Sequence, residues 1–195
     1  MQGNLLTETA ELAMAVTLQY VREGDFVIDA TCGNGHDTLA LSKACGSDGR
    51  VLAVDLQEQA VRNSRELLKS EGLSNIEFIQ GDFLNLKKYT EDVFGTVKPR
   101  AVVFNLGYLP GSDKAVTTTA EGSAEAVRQA LSLIEPGGIV TVVLYWGHEE
   151  GKREREAVLY LAETLSSKEY HVAYTSFPNQ KKNPPEVLWI TKKQR

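Results

Sequence analysis

The stretch that decides the fold reads Val27-Ile28-Asp29-Ala30-Thr31-Cys32-Gly33-Asn34-Gly35-His36-Asp37-Thr38. An apolar β-branched run ends at a carboxylate and a glycine turn, after which a helix is predicted to begin. Twenty residues after Gly35, a second apolar run ends at Asp55. Such a strand, glycine turn, helix and strand build a nucleoside pocket at the carboxyl ends of two adjacent parallel strands. We expect the Asp55 carboxylate to accept hydrogen bonds from both hydroxyls of a ribose.

The spacing of the glycines bears on which nucleoside binds. Against the dinucleotide pattern G-x-G-x-x-G, Gly33 and Gly35 match but Thr38 occupies the third glycine position, which weakens the case for pyrophosphate binding. With Asp29 as the leading acidic residue, the loop resembles motif I of S-adenosylmethionine-dependent methyltransferases. Thr31 stands where the fullest form of that motif has its first glycine. The loop alone leaves NAD, S-adenosylmethionine and an ordinary strand-to-helix turn open.

Composition indicates a single soluble globular domain over residues 1–195. The chain is 42% hydrophobic and 24% charged, which is ordinary for such a domain. No apolar run reaches the roughly 18 residues that span a bilayer, and no signal-peptide pattern is present, so we expect a cytoplasmic protein with no membrane partner. Cys32 and Cys45 stand without a His or Cys cluster, which predicts free thiols and no metal site.

The charge pattern gives a mixed indication about nucleic acids. A formal net charge of −5 argues against wholesale nucleic-acid binding. The last third of the chain nevertheless carries three basic clusters: Lys152, Arg153 and Arg155; Lys181 and Lys182; and Lys192, Lys193 and Arg195. Each cluster is either a solvated face or frayed tail, or part of a shared surface that faces an acidic substrate.

Strand and helix patterns alternate along the whole chain. Helices are predicted over 5–21, 37–44, 57–70, a short part of 83–98, 118–134 and 152–166, and strands over 26–30, 50–55, 76–80, 101–105, 139–145, 171–176 and 186–191. This alternation predicts a doubly wound α/β sheet with helices on both faces. Only a polar loop over 178–185 separates the last two strands, so they should form a hairpin with an antiparallel seventh strand. Dinucleotide-binding folds lack that hairpin.

Three segments carry a resemblance to a known family: the loop over 29–38, Asn105-Leu106-Gly107-Tyr108-Leu109-Pro110-Gly111, and Tyr145-Trp146-Gly147-His148-Glu149-Glu150-Gly151. With them the chain resembles, over nearly its whole length, class I methyltransferases with the Rossmann-like seven-stranded sheet, and within these the small bacterial rRNA methylase family. The resemblance implies S-adenosylmethionine as the cofactor. It also implies methylation of the 5-aminomethyl group on wobble (2-thio)uridine, with the anticodon region of tRNA as the bound partner. A homodimer would enlarge the RNA-binding surface of so small a unit.

The resemblance and the chemistry of the loop residues assign the cofactor site. Asp29 would fix the turn and hold the amino-acid end of the cofactor, or cap the next helix. Gly33, Asn34 and Gly35 would pass beneath the methionine and ribose. Asp37 would face the cofactor ammonium or complement the helix dipole. Asp55 would bind the ribose, with a further polar contact from Gln57.

The segment after the third strand is expected to hold the adenine. In methyltransferases an acidic residue at this position accepts from the adenine amino group, and the next apolar residue packs on the ring. Asp82 and Phe83 stand at these positions. The two residues could also form an ordinary strand-end turn.

The acceptor side is assigned to Asn105, Tyr108 and His148. The segment from Asn105 to Tyr108 partly resembles the N-P-P-Y tetrapeptide of amino-methylating enzymes, with Leu106 and Gly107 in place of the prolines. An alkyl amine is protonated at neutral pH and must lose a proton before attack, and His148 is the candidate to accept it. A strand-end loop and a structural histidine are the alternatives.

Other functions stay open at this point. The acidic balance also fits methylation of rRNA or of a small metabolite. A non-catalytic nucleoside-binding protein and an NAD-dependent enzyme are alternatives of another class, although Thr38 and the terminal hairpin weigh against NAD.

Overall fold

A computed structural model describes residues 5–107 and 119–194. Within these residues, the strands are β1 Phe26–Asp29, β2 Arg50–Asp55, β3 Ile76–Gln80, β4 Ala101–Leu106, β5 Ile139–Leu144, β6 Tyr170–Thr175 and β7 Glu186–Lys192. The helices are α1 Thr9–Thr17, α2 His36–Cys45, α3 Glu58–Ser70, α4 Leu86–Phe94, α5 Ala120–Leu133 and α6 Glu149–Thr164. Single 3₁₀ turns lie at Leu5–Thr7 and Phe83–Asn85.

The strands form one sheet in the order β3-β2-β1-β4-β5-β7-β6. The first five strands pair in parallel, and β7 runs antiparallel to both β5 and β6. The predicted seven-stranded fold with its terminal hairpin is confirmed. Chain order reverses between β1 and β4, and the carboxyl ends of strands at such a switch point open into a crevice.

Two apolar layers fix the strands in place. On one face, residues such as Ile28, Leu52 and Val140 pack against α4, α5 and α6. On the other face, Val27 and Val51 pack against α1 and α2, while α3 covers the β2 side. Burial of this apolar surface is the main stabilising contribution. It also holds the strand ends that shape the site.

The structure corrects one predicted boundary that bears on function. Helix α6 begins at Glu149 and not at Lys152, so the residues from Glu149 to Gly151 are helical. The side chain of His148 accepts a hydrogen bond from the backbone N–H of Gly151 at 2.8 Å and thereby caps the helix. The sequence reads as a loop here because histidine is an uncommon N-cap residue.

The first helix is also shorter than predicted. Helix α1 ends at Thr17, and the next residues form tight turns in which Gln19 and Tyr20 bond to carbonyls three residues back. Most of the loop predicted between β4 and α5 lies outside the described residues. Among the helices of the described ranges, none is long and apolar enough to cross a membrane.

Candidate functional site

A cleft of about 380 Å³ opens at the carboxyl edge of the sheet, beside the ends of the paired strands β1 and β4. The loop after β1, the end of β2 and the end of β4 supply most of its wall. Single residues come from α1, from the 3₁₀ turn after β3 and from the end of β5. The lining residues are Ala10, 30–34, 36–37, 55–57, Phe83, 105–107 and Tyr145.

Asp29 lies beneath this cleft and does not line it. The side chain is fully buried, and its carboxylate accepts hydrogen bonds from the Thr31 backbone N–H at 3.2 Å and the Thr38 hydroxyl at 2.6 Å. Burial, together with the neighbouring Asp37 carboxylate, raises the pKa of Asp29 to about 7. The structure therefore shows Asp29 fixing the turn, and contact with the amino-acid end of the cofactor stays a prediction.

Asn105 connects the end of β4 to the loop after β1. Its backbone N–H donates to the Thr31 hydroxyl at 2.7 Å, and its side-chain amide donates to an Asp37 carboxylate oxygen at 2.7 Å. Burial raises the pKa of Asp37, while the amide of Asn105 and the neighbouring His36 act in the opposite direction. Thr31 and Thr38 both donate hydrogen bonds to Asp29. Together with the two bonds of Asn105, these contacts form a closed network that holds the loop after β1 against the end of β4.

Asp55 is held by backbone donors on both of its oxygens. The Gly33 N–H donates to one oxygen at 2.9 Å and the Gln57 N–H to the other at 3.0 Å. Burial raises the pKa of Asp55, and these backbone hydrogen bonds oppose that shift. A carboxylate oxygen can accept more than one hydrogen bond, so Asp55 retains acceptor capacity on the cleft side. The two hydroxyls of a ribose can donate to such acceptor sites.

The predicted glycine segment divides between two tasks. Gly33 and Asn34 line the cleft, whereas Gly35 packs against α3. Gly35 has a φ of +87°, and a Cβ there would lie 2.8 Å from the Ser64 Cα. Glycine is therefore required at this position by backbone conformation and by the close approach of α3, and its predicted place beneath the methionine and ribose stays a prediction.

The residues predicted to hold adenine are also divided. Phe83 lines the cleft and packs edge-on against Phe104, with ring centroids 6.0 Å apart. Asp82 is half-buried beside the cleft, and its carboxylate caps the 3₁₀ turn by accepting the Leu84 N–H at 2.9 Å. Gln57 lines the cleft at the end of β2.

The structure reports on two of the three acceptor-side residues. Asn105 lines the cleft, whereas Tyr108 lies outside the described residues. His148 is exposed, is not part of the cleft wall and uses Nδ1 to cap α6. A neutral imidazole whose Nδ1 accepts a hydrogen bond carries its proton on Nε2 and has no second lone pair for another proton. Its role as a proton acceptor therefore stays a prediction that requires the cap to open.

Sequence reasoning missed Tyr145 and Ala10. Tyr145 follows β5, lines the cleft and is 37% exposed, and burial of its ring with the nearby Asp37 raises its pKa. Its place just after a buried strand was the available signal. Ala10 enters the wall only because α1 docks beside the cleft, which no local pattern indicates.

Cys32 also lines the cleft, and burial raises the pKa of its thiol. The neutral thiol is a poor nucleophile. Within 5–107 and 119–194, no group of three or more His, Cys, Asp or Glu side chains converges to hold a metal ion.

Comparison with known proteins identifies the family of this chain. Residues 51–191 match the family model described as "Putative rRNA methylase". The chain belongs to the rRNA methylase family. Its first part, residues 2–85, also matches the model of protein-L-isoaspartate(D-aspartate) O-methyltransferase, so the family lies among the class I S-adenosylmethionine-dependent methyltransferases.

Three relatives illustrate the similarity. The "putative rRNA-methylase" of Clostridium thermocellum is 36% identical, with a TM-score of 0.89 over 94% of this chain and 97% of that chain. SMU.1697c of Streptococcus mutans, described as "a putative methyltransferase" and solved in complex with SAH, is 32% identical, with a TM-score of 0.84 over 95% of this chain and 98% of that chain. The chloroplastic tRNA (mnm(5)s(2)U34)-methyltransferase of Arabidopsis thaliana is 38% identical over 77% of this chain. This chain spans 57% of the length of that plant protein.

S-adenosylmethionine is the cofactor of this class, and the residues present fit it. The Asp55 carboxylate, which two backbone N–H groups hold in place, could accept hydrogen bonds from the ribose hydroxyls. The Phe83 ring could pack on adenine, and the Asp37 carboxylate could pair with an ammonium group. When bound, the cofactor supplies a methyl group that its sulfonium has already activated. The protein's share of such chemistry is binding, orientation and electrostatics.

Proposed function

We propose that the protein transfers the methyl group of S-adenosylmethionine to the 5-aminomethyl nitrogen of a wobble (2-thio)uridine in tRNA. The observation that carries this proposal is the 38% identity with the plant tRNA (mnm(5)s(2)U34)-methyltransferase over 157 residues. That match extends over 77% of this chain. It is therefore longer than the half of the chain that contains the proposed cofactor residues.

The cofactor side of the proposal rests on the cleft wall. Asp55 binds the ribose hydroxyls, and Gln57 adds a polar contact beside them. Phe83 packs on the adenine, and the Asp82 carboxylate beside it accepts from the adenine amino group. Asp37 faces the ammonium of the methionine end, and the loop that contains Gly33 and Asn34 passes beneath it.

The acceptor side of the proposal rests on the orientation of Asn105. Because its amide nitrogen donates to Asp37, its side-chain oxygen is the atom left to accept a hydrogen bond from the substrate. Once the ammonium has lost its proton, an amine N–H held by that oxygen leaves the nitrogen lone pair for attack on the activated methyl. In-line positioning of this kind supplies a large part of the catalysis in a transfer between pre-activated partners.

The ring of Tyr145 gives the base a surface for stacking. It is partly exposed and lies in the cleft wall directly after β5. Aromatic stacking contributes about 1–3 kcal/mol per base in single-stranded recognition. Tyr108 and His148 stay predictions for the same acceptor side.

The test compares acceptors in one assay. Purified protein is incubated with isotope-labelled S-adenosylmethionine and with tRNA from cells that lack the gene, rRNA from the same cells, or free 5-aminomethyl-2-thiouridine. We expect mass spectrometry to show conversion of 5-aminomethyl to methylaminomethyl uridine in the tRNA, and none with the Asn105→Ala protein. Methyl transfer to rRNA alone would overturn the tRNA assignment, and transfer to no acceptor would favour a nucleoside-binding protein without this activity.

A further inference from the structure

The first of the three basic clusters lies on α6 and is paired with glutamates of α6 and β7. Each of its cations lies within salt-bridge distance of a glutamate: Lys152 of Glu149, Arg153 of Glu150 and Arg155 of Glu186. Paired cations of this kind attract a polyanion weakly. This cluster is therefore not the main candidate for contact with a substrate.

The third cluster lies at the wrong edge of the sheet. Thr191 pairs with Ile139, the first residue of β5, so the chain after it reaches the amino edge, opposite the cleft. The Lys192 side chain donates to the carbonyls of Leu131 and Ile134, and Lys193 donates to that of Ser167. Arg195 lies outside the described residues.

The second cluster lies at the cleft edge. Glu186 pairs with Leu144, the last residue of β5, so the loop over 176–185 lies at the carboxyl edge of the sheet. Lys181 and Lys182 are exposed on this loop. Within the described part of the chain, neither forms a salt bridge.

Two hydrogen bonds attach the loop to the rim of the cleft. The indole N–H of Trp146 donates to the Pro184 carbonyl at 2.9 Å, and the Thr9 hydroxyl donates to the Pro185 carbonyl at 3.2 Å. Trp146 and Thr9 are the chain neighbours of the cleft residues Tyr145 and Ala10. The loop is therefore tied to the cleft wall from two sides.

Neighbouring side chains also hold the Trp146 ring in place. The Arg155 guanidinium lies 4.9 Å from the centre of the indole ring. Glu186, which is 4% exposed, holds Arg155 by an ion pair, and the Tyr174 hydroxyl accepts from it at 2.8 Å. A loop fixed in advance loses less conformational entropy when it binds.

We propose that the loop over 176–185 is an RNA-backbone contact, in which Lys181 and Lys182 bind phosphates beside the nucleotide that enters the cleft. The inference rests on the proposed function. Lysine binds phosphate as a point charge and fixes register without reading sequence. The loop thus supplies a local basic site on a chain whose net charge is negative, and recognition of the nucleotide is left to the cleft.

The test removes these two charges and compares an equal change elsewhere. The test protein carries Lys181→Ala and Lys182→Ala. The control carries Lys98→Ala and Lys168→Ala, two exposed lysines that precede β4 and β6 at the opposite edge. For each protein, substrate tRNA binding is measured at several salt concentrations, and KM is measured for tRNA and for the free nucleoside.

We expect the test protein to bind tRNA more weakly, with a salt slope smaller by about 1 per lysine. Its KM for tRNA should rise while its KM for the free nucleoside and its affinity for S-adenosylhomocysteine stay unchanged. The control should match the wild type. A test protein with the wild-type salt slope and KM, or an equal loss in the control, would overturn the inference while the proposed function stands. A wild type that binds tRNA through this loop but methylates only another acceptor would instead overturn the proposed function.

Discussion

The backbone N–H of Asn105 donates a 2.7 Å hydrogen bond to the hydroxyl of Thr31. This bond joins the acceptor side of the cleft to the loop that is proposed to hold the cofactor. Thr31 occupies the position where the fullest methyltransferase motif has glycine, and glycine has no side-chain atom that could accept this bond. The departure from the motif therefore has a physical role in this chain.

Replacing Thr31 with Val tests that role. Valine has nearly the same shape but leaves the half-buried Asn105 N–H without its partner, which costs about 1–3 kcal/mol. We expect a lower urea midpoint and a fall in kcat that exceeds any loss of cofactor affinity, because Asn105 shifts. Thr31→Ser keeps the hydroxyl and should restore both. Equal behaviour of the Val and Ser proteins would show that the bond does not position Asn105.

Asp55 gives a sharper test of the ribose site. Both of its oxygens accept backbone N–H groups, so Asp55→Asn turns an NH₂ group toward either Gly33 or Gln57. We expect affinity for S-adenosylhomocysteine, measured by calorimetry, to fall at least about tenfold, or about 1.4 kcal/mol. Gln57→Ala, which leaves the backbone donor in place, is the matched control and should lose less. Retained affinity in the Asn protein would place the ribose elsewhere.

Much of the fold could be predicted because it depends on local patterns. The β-branched run at 139–144 indicates a buried strand, and the short polar loop at 178–185 favours a hairpin between β6 and β7. The position of Asp55 in the cleft wall could be predicted because an acidic residue at the end of a second strand has a fixed place in the fold. These features can be predicted from the sequence because they depend on neighbouring residues and not on distant contacts.

The rest of the site depends on contacts between distant segments. Ala10 reaches the cleft only through the docking of α1, and the network through Asp29, Thr31 and Asn105 joins residues 74 positions apart. For His148, the local sequence is compatible with two different roles. The local sequence His-Glu-Glu-Gly does not distinguish a histidine that caps a helix from one that faces a substrate.

The raised pKa of Asp29 predicts a pH-dependent stability. The folded protein holds this carboxyl with a pKa of about 7, against 3.8 for the ordinary group. Between these values the folded state binds more protons, so this group's contribution to stability falls as pH rises from about 4 to 7. In Asp29→Asn, the Thr38 hydroxyl can accept instead of donate, so the fold should persist. We expect urea midpoints from pH 5 to 8 to fall less steeply in the variant. Because Asp37 and Asp55 titrate in both proteins, parallel curves would refute this role for Asp29.

Substitutions at His148 distinguish a helix cap from a proton acceptor. If its imidazole acts as a cap, His148→Asn should keep stability and most of kcat, since asparagine is a favoured N-cap residue. His148→Ala should then lose about 1 kcal/mol of unfolding free energy. The observed bond to Gly151 leads us to expect this result. Loss of kcat in both proteins, with the acidic limb of the pH–rate profile removed, would support His148 as the proton acceptor.

Trp146→Phe tests whether the basic loop must be anchored. Phenylalanine keeps an aromatic ring beneath Arg155 but removes the N–H that donates to Pro184. We expect faster amide hydrogen exchange over 176–185 and a higher KM for tRNA, with unchanged affinity for S-adenosylhomocysteine. Thr9→Val removes the second anchor at Pro185. If both bonds hold the same loop, the double variant should lose more than the sum of the single losses, because either anchor alone still limits the motion. Strictly additive effects would show that the anchors act independently, and unchanged exchange would show that the loop is fixed by other contacts.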